Sequence, residues 1–193
     1  MTDPNPAVIR RLGADDLELM AGLAGVFAHA FDDPDTYLAR RPDPAYLRRL
    51  LGSEQFVALV ACAGDEVVGA LAAYELVKFE QARSELYIYD LAVAQAHRRR
   101  GIATALIGEL KALAAVRGAW VVYVQADHGD DPAIALYSKL GVREDVLHFD
   151  IAVGPGLAPD GVAAEAAANI GDEGGGSGGR GPGLRGSTAA PDA

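Results

Sequence analysis

The spacing of apolar residues divides the first 153 positions into segments of two kinds. In some, apolar and β-branched residues run together or alternate over a short stretch, which is typical of β-strands. In others they recur every three or four positions, which is typical of amphipathic helices. The pattern predicts strands over 7–12, 56–63, 67–76, 85–93, 120–125, 142–144 and 146–151. It predicts helices over 17–31, 101–117 and 132–140, with a short helix after Pro44.

The order of these segments, β-α-α-β-β-β-α-β-α-β-β, predicts one α/β (α+β) domain over residues 1–153. Residues 154–193 form a tail rich in glycine and alanine. The tail has too few apolar residues to offset the entropy lost on ordering, so we expect it to be disordered and assign it no function.

The chain is acidic, with 17 basic and 27 acidic side chains and a net charge of −10. Such a surface repels nucleic acid and anionic membranes and attracts cationic partners. With Cys62 as its only cysteine, the chain is not expected to hold a multi-cysteine metal site or an internal disulfide. It shows no apolar run of membrane-spanning length and no secretion signal, so we expect a cytoplasmic protein.

Three arginines and a glycine, Arg98-Arg99-Arg100-Gly101, stand where the fourth predicted strand passes into a helix. The first amides of a helix lack intrahelical partners and lie at the positive end of its dipole, so they form an anion site. Glycine allows a ligand to approach the backbone, and arginines can add forked contacts to phosphate oxygens. The turn therefore predicts a pyrophosphate site; on its own it could also be a basic loop in water.

Two patterns resemble signatures of the GNAT superfamily of N-acetyltransferases. They are Arg98-x-x-Gly101-x-Ala103 and Ala133-x-x-x-Tyr137-x-x-x-Gly141. The resemblance implies a central mixed, mostly antiparallel sheet that splays after its fourth strand and is flanked by helices. It also implies acetyl-CoA as cosubstrate and no need for a metal.

The same resemblance implies roles for individual residues. The amide of Leu91 would stabilise charge on the thioester oxygen, and the strand edge at Leu91 would pair with pantetheine. Tyr137 would protonate the leaving thiolate; its alternative role is an aromatic packed on the sheet. The implied cofactor-binding residues are Leu91, Ala92, Val93, Arg98, Arg99, Arg100, Gly101, Ile102, Ala103, Thr104, Ala133 and Tyr137.

Several further blocks resemble the type I aminoglycoside 3-N-acetyltransferases, which modify gentamicin. They are 69–74, 78–81, 83–85, 87–93, 125–127, 129–132 and 148–150, with His128 departing from an aromatic in that family's pattern. This resemblance implies acetylation of the 3-amino group of an aminoglycoside, antibiotic resistance, and a homodimer as one option. The implied substrate-binding residues are Asp32, Asp33, Tyr74, Glu80, Glu85, Asp127, Asp130, Asp131 and Asp150.

An aminoglycoside is a polycation, and the acidic loops of this chain fit such an acceptor. The reaction would be direct transfer, in which a carboxylate takes the proton of the attacking amine. Asp90, in the strand beside the thioester, is the first choice for this base, and Glu80 is the second. Asp90 could instead hold a bulge in the strand by bonding backbone amides.

Two other functions stay open. The same enzyme could acetylate a polyamine, another small-molecule amine or a protein lysine. A module that binds acyl-CoA without catalysis is the alternative from another class, but it predicts loss of Tyr137 or of the arginine turn, and both are intact.

Overall fold

In the part of the chain that the structure describes, five strands form a single open sheet in the order β1-β2-β3-β4-β5. The chain is represented by a computed structural model that describes residues 7–149, 151 and 153. Neighbouring strands are antiparallel except β4 and β5, which run parallel, so the predicted mixed sheet is confirmed. The strands are β1 Val8–Arg11, β2 Phe56–Ala63, β3 Glu66–Val77, β4 Ser84–Val93 and β5 Ala119–Val124.

Helices cover both faces of the sheet. On one face, Leu106, Leu110 and Leu136 pack with the inward side chains of the strands. On the other, Phe27 and Leu51 do so. The helices are α1 Leu17–Ala30, α2 Pro44–Leu51, α3 Ile102–Arg117 and α4 Asp131–Leu140. Short turns of other types, which the sequence pattern did not predict, are a π-helical turn at Asp35–Ala39 and a 3₁₀ turn at Gln95–His97.

The start of α3 lies close against β3 because Gly69 has no side chain. A β-carbon at this position would lie 2.8 Å from Cγ2 of Ile102 and 3.2 Å from the β-carbon of Ala61. The first distance is shorter than packed atoms adopt, and the second is a tight contact. Gly69 therefore sets how closely the first turn of α3 approaches the sheet.

Strands β4 and β5 pair only over the first part of β4. Their parallel register runs from Ser84 opposite Ala119 to Ile88 opposite Val124, where β5 ends. β4 continues for five more residues, to Val93, and there pairs with β3 alone among the described strands. This divergence of β4 and β5 is the splay expected after the fourth strand.

A β-bulge lies in β4 where the divergence begins. Ala73 of β3 faces Ile88, and its neighbour Ala72 faces Asp90, so Tyr89 is an extra residue on β4. A bulge shifts the alternation of side chains between the two faces. Asp90 and Ala92 consequently lie on the α1 face of the sheet, and Ala92 packs in the core beneath α1.

Each element predicted with bounds between 7 and 140 agrees with the structure to within one residue at either end, and the short helix expected after Pro44 is α2. The two closing strands were wrong, because the exposed residues 142–149 have no strand pairing. Alternating apolar residues are a local signal, whereas a strand forms only where its backbone pairs with a neighbour. Asp150, the last predicted substrate residue, lies outside the described residues, as does the predicted tail 154–193.

The chain divides into two units, and the second comprises Arg143–Arg185. Among its described residues, Arg143 pairs with Asp145 at 2.5 Å between Nη2 and Oδ1. Within the part of the chain that the structure describes, no helix is both long enough and apolar enough to cross a membrane.

Candidate active site

Residues 98–101, which we call the arginine turn, join β4 to α3. Arg99 has a φ of 62° and Gly101 a φ of 78°, both in the left-handed region. This conformation costs glycine little and strains arginine. Gly101 caps the N-terminus of α3, and the space where its β-carbon would stand holds no atom within 4 Å. The amides of Ile102, Ala103 and Thr104, in the first turn of α3, lack intrahelical partners and lie at the positive end of the helix dipole.

The three arginines of this turn differ in their surroundings. Arg98 is half-buried, and its Nε donates a hydrogen bond to the carbonyl oxygen of Val93 at 3.2 Å. Arg99 and Arg100 are exposed. Arg98 is therefore fixed against the end of β4, while Arg99 and Arg100 lie at the surface.

The second half of β4 has backbone groups that face the gap where β4 and β5 diverge. The amide of Ala94 donates to the carbonyl of Val68 on β3 at 2.8 Å. Because amides alternate in direction along a strand, those of Leu91 and Val93 point away from β3, towards the open edge. The bond from Arg98 to the Val93 carbonyl fits this direction. The edge at Leu91, Ala92 and Val93 thus has the polarity that an added extended chain requires.

Tyr137 lies on α4 and packs against the core on the α3 face of the sheet. Its hydroxyl oxygen is buried and has no hydrogen-bond partner among the described residues. Burial, with a smaller contribution from the nearby charge of Asp130, raises the pKa of Tyr137. The hydroxyl is therefore neutral at physiological pH and can donate a proton. Ala133, one turn earlier on the helix, is fully buried.

Asp90 is a nearly buried carboxylate on β4, with 5% of its surface exposed. Burial raises its pKa from 3.8 to about 6, although a hydrogen bond from Tyr37 acts in the opposite direction. The Tyr37 hydroxyl donates to Oδ1 of Asp90 at 3.1 Å. A carboxylate with a pKa close to neutral can act as a general base. Among the described residues, the hydrogen-bond partner of Asp90 is thus the side chain of Tyr37 and not the backbone amides of the bulge.

Four tyrosines form a continuous aromatic surface, the tyrosine face, across β3, β4 and β5. Ring centroids are 5.8 Å apart for Tyr74 and Tyr89, 5.9 Å for Tyr89 and Tyr87, and 4.9 Å for Tyr87 and Tyr123. Tyr74 is 37% and Tyr89 46% exposed. The Tyr87 hydroxyl donates to Oε1 of Gln125 at 2.8 Å. The first two pairs are edge to face and the third is stacked. Rings packed in this way and partly exposed offer a rigid apolar surface for a ligand.

Two of the predicted substrate-binding carboxylates, those of Asp33 and Asp130, stabilise local structure. Asp33 accepts a hydrogen bond from the amide of Thr36 at 3.0 Å, and the charge of Asp33 acts on Tyr37. Asp130 caps α4 by accepting a hydrogen bond from the amide of Ala133 at 3.2 Å. Three other predicted carboxylates, of Asp32, Asp127 and Asp131, are exposed.

Glu80 and Glu85 share one cation. Nζ of Lys78 lies 3.7 Å from a carboxylate oxygen of each, and Arg83 lies 3.7 Å from Glu80. A backbone hydrogen bond at Glu80, and then the charges of Lys78 and Arg83, lower the pKa of Glu80. Glu85 is close enough to act electrostatically on Tyr123 of the tyrosine face.

Residues 25–142 match the model of the acetyltransferase (GNAT) family, and this match covers more than half of the chain. The chain belongs to the GNAT acetyltransferase family. GNAT acetyltransferases use acetyl-CoA as the acetyl donor. Among the residues that the structure describes, no group of three or more His, Cys, Asp or Glu side chains could hold a metal ion.

Two solved structures similar to this GNAT chain are aminoglycoside acetyltransferases from uncultured soil metagenomic samples. One is 61% identical with a TM-score of 0.75, covering 77% of this chain and 99% of its own. The other was solved with sisomicin; it is 31% identical with a TM-score of 0.71, covering 77% of this chain and 97% of its own.

A curated GNAT relative is an N-alpha-acetyltransferase of Sulfurisphaera tokodaii. It is 34% identical over 90 residues, which are 41% of this chain and 54% of that protein. The chain thus matches only about half the length of this relative. The likeness supports the shared acetyltransferase domain and does not extend to the whole of that protein.

Four residues of this GNAT site were missed by the sequence pattern: Tyr37, Tyr87, Tyr89 and Tyr123. Tyr37 stands in an acidic segment that reads as a loop, 53 positions from Asp90. Tyr87 and Tyr89 stand two positions apart in a predicted strand, a spacing that places side chains on one face. That spacing was the signal from which the tyrosine face could have been predicted.

Proposed function

We propose that this chain transfers the acetyl group of acetyl-CoA to the 3-amino group of an aminoglycoside such as gentamicin, and so gives resistance to the antibiotic. The observation that carries the proposal is its 61% identity to a soil aminoglycoside acetyltransferase over 99% of that chain. The sisomicin complex of the second, 31% identical enzyme supports the same class of acceptor.

In this proposal the arginine turn binds the pyrophosphate of acetyl-CoA. The open space beside Gly101 lets the phosphates reach the amides of Ile102, Ala103 and Thr104. The exposed side chains of Arg99 and Arg100 supply neutralising charge, and Arg98 contributes from its position at the end of β4. The pantetheine arm runs along the edge at Leu91, Ala92 and Val93.

The acceptor amine attacks the thioester carbonyl carbon directly. The amide of Leu91, which points to the open edge, stabilises negative charge on the carbonyl oxygen. When the carbon–sulfur bond breaks, Tyr137 donates its proton to the leaving sulfur of CoA. A buried hydroxyl with no partner among the described residues is suited to this task, because no protein hydrogen bond has to break first.

Asp90 takes the proton released by the attacking amine. Its buried position and pKa of about 6 leave it ionised and basic at neutral pH. Glu80 is a poorer base, because it is exposed, paired with cations and has a lowered pKa. The geometry thus favours Asp90 over Glu80 as the base.

The tyrosine face receives the sugar rings of the acceptor, and the acidic side chains around it attract its ammonium groups. Tyr74 and Tyr89 are the most exposed of the four tyrosines that form this face. Two of the predicted substrate-binding carboxylates act on nearby tyrosines: Asp33 on Tyr37, which is bonded to Asp90, and Glu85 on Tyr123 of the tyrosine face. Lys78 is exchanged for an ammonium group of the acceptor, since surface ion pairs are weak. Asp32, Asp127, Asp130 and Asp131 contribute longer-range attraction.

The test is acetyl-CoA-dependent thiol release with gentamicin, kanamycin, apramycin and spermidine measured in parallel. Turnover of gentamicin with little turnover of apramycin would support the proposal. Turnover of spermidine alone would move the acceptor to the polyamines. Tight CoA binding with no turnover of any amine would favour the non-catalytic module. The homodimer stays a prediction, which light scattering of the purified chain tests.

A further inference from the structure

Tyr37 and Asp90 are 53 positions apart in sequence and joined by a hydrogen bond of 3.1 Å. Tyr37 belongs to the π-helical turn Asp35–Ala39, which follows α1, whereas Asp90 lies beside the bulge of β4. Single π-helical turns are uncommon and often mark functional sites. Here the turn brings a phenol donor to the carboxylate proposed as the base.

The ring of Tyr37 is held in place by α1. Its centroid lies 5.6 Å from that of Phe27 and 5.7 Å from that of Phe31, and these two rings stack at 5.4 Å. The amide of Thr36 is in turn bonded to Asp33 at 3.0 Å. The direction of the Tyr37 hydroxyl is therefore fixed by packing on one side and by the turn on the other.

Asp90 has few other means of stabilising its charge, because it is nearly buried. The titratable groups around this pair come from β3, β4 and the segment between α1 and the π-helical turn. Asp90 acts electrostatically on Tyr74 and Tyr87, while Tyr89 and Asp33 act on Tyr37. Each of these is neutral or negative at neutral pH. No cation is among the groups that shift the pKa of Asp90. Among the described residues, the hydrogen bond from Tyr37 is therefore the interaction that stabilises the charged form of Asp90.

We propose that Tyr37 is a positioning residue for acetyl transfer: its hydroxyl holds Oδ1 of Asp90 and leaves Oδ2 for the proton of the acceptor amine. This inference rests on the proposed role of Asp90 as the base. A hydrogen bond to an ionised carboxylate favours the charged form, so Tyr37 also keeps Asp90 ionised at lower pH than burial alone would permit.

The test is Tyr37→Phe, which keeps the ring packed on Phe27 and Phe31 and removes only the hydroxyl. The acid limb of the pH profile of kcat should move up by about one pH unit. This shift lowers kcat about fivefold near pH 6 and hardly at all near pH 8.5, while KM for acetyl-CoA stays the same. Tyr46→Phe, on α2 with its ring 47% exposed, is the matched control and should leave the profile in place.

A loss of activity by the same factor at every pH would overturn the inference, since that is the result of a purely structural role. A carbon-13 NMR titration of the Asp90 carboxyl in the free protein separates this inference from the proposed function, because it needs no substrate. The Asp90 pKa should rise in Tyr37→Phe, and an unchanged pKa would also overturn the inference.

If Tyr37→Phe fails to fold, 3-fluorotyrosine at position 37 replaces it. The fluorinated phenol is a stronger donor of almost the same shape, so the Asp90 pKa should fall. A pKa that stays the same or rises would again overturn the inference.

Discussion

Nε of Arg98 donates a hydrogen bond to the carbonyl oxygen of Val93 at 3.2 Å, which ties the first residue of the arginine turn to the last residue of β4. The bond occupies the carbonyl of Val93 at the end of β4, where the proposed pantetheine path meets the proposed pyrophosphate site. Arg98 thus has a structural contact in addition to its proposed role in binding the pyrophosphate, whereas Arg99 is exposed and has only the proposed role.

Arg98→Ala should therefore lower the free energy of unfolding by about 1 kcal/mol and raise KM for acetyl-CoA about tenfold. Arg99→Ala should leave the free energy of unfolding within about 0.5 kcal/mol and raise only KM. Urea unfolding and initial-rate kinetics measure the two quantities. Equal losses of stability in both variants would show that the bond to Val93 does not anchor the turn.

Gly101 and Gly118 allow the backbone and ligand contributions of a glycine to be separated. They lie at opposite ends of α3, with φ of 78° and 70°, and neither would bring a β-carbon within 4 Å of another atom. Either glycine changed to alanine should lower the free energy of unfolding by about 1 to 2 kcal/mol. Only Gly101→Ala should also raise KM for acetyl-CoA, by about tenfold or more, because its methyl group would enter the proposed pyrophosphate site. Equal KM values in the two variants would remove Gly101 from that site.

Tyr137→Phe should change activity and stability in different directions. Loss of the proton donor should lower kcat by about 100-fold or more. The free energy of unfolding should stay the same or rise, because the hydroxyl is buried without a partner among the described residues. Thermal melting and single-turnover kinetics check both. A lower melting temperature with unchanged kcat would instead support the alternative role of an aromatic packed on the sheet.

Asp90 should make the stability of the protein depend on pH. Its pKa of about 6 in the fold, against an ordinary 3.8, corresponds to a cost of about 3 kcal/mol for the charged folded state. Because the pKa is raised by folding, the cost is absent below about pH 4 and is complete once the pH has risen through 6. Asp90→Asn should therefore be more stable than wild type by up to about 3 kcal/mol near pH 8, and by little near pH 4. Urea unfolding at both pH values measures this difference; a difference that does not change with pH would contradict it.

The helices and strands up to Leu140 could be predicted from the sequence because each contains a repeating apolar pattern and clear end signals. Pro44 and Pro132 near helix starts and Gly118 and Gly141 at helix ends are signals of this kind. The segments 142–144 and 146–151 carried the same pattern without a pairing partner among the described residues, so a local signal misled.

The site was predictable only where its residues are close in sequence. The arginine turn and its helix form one continuous segment, and Tyr137 has its spacing to Ala133 and Gly141 on one helix. Tyr37 and Asp90 meet only through the packing of α1 on the sheet, which no spacing encodes. The lysine shared by Glu80 and Glu85 was missed for a similar reason, since both carboxylates look free in a list of residues.

The most direct test of the proposed function is to acetylate gentamicin with the purified chain and acetyl-CoA and to locate the new acetyl group by two-dimensional NMR. We expect a single acetyl group on the 3-amino nitrogen, with the rate of its formation greatly reduced in Tyr137→Phe. An acetyl group on another nitrogen would contradict the 3-N assignment. No acetylated gentamicin from a chain that binds acetyl-CoA tightly would contradict the proposed function itself.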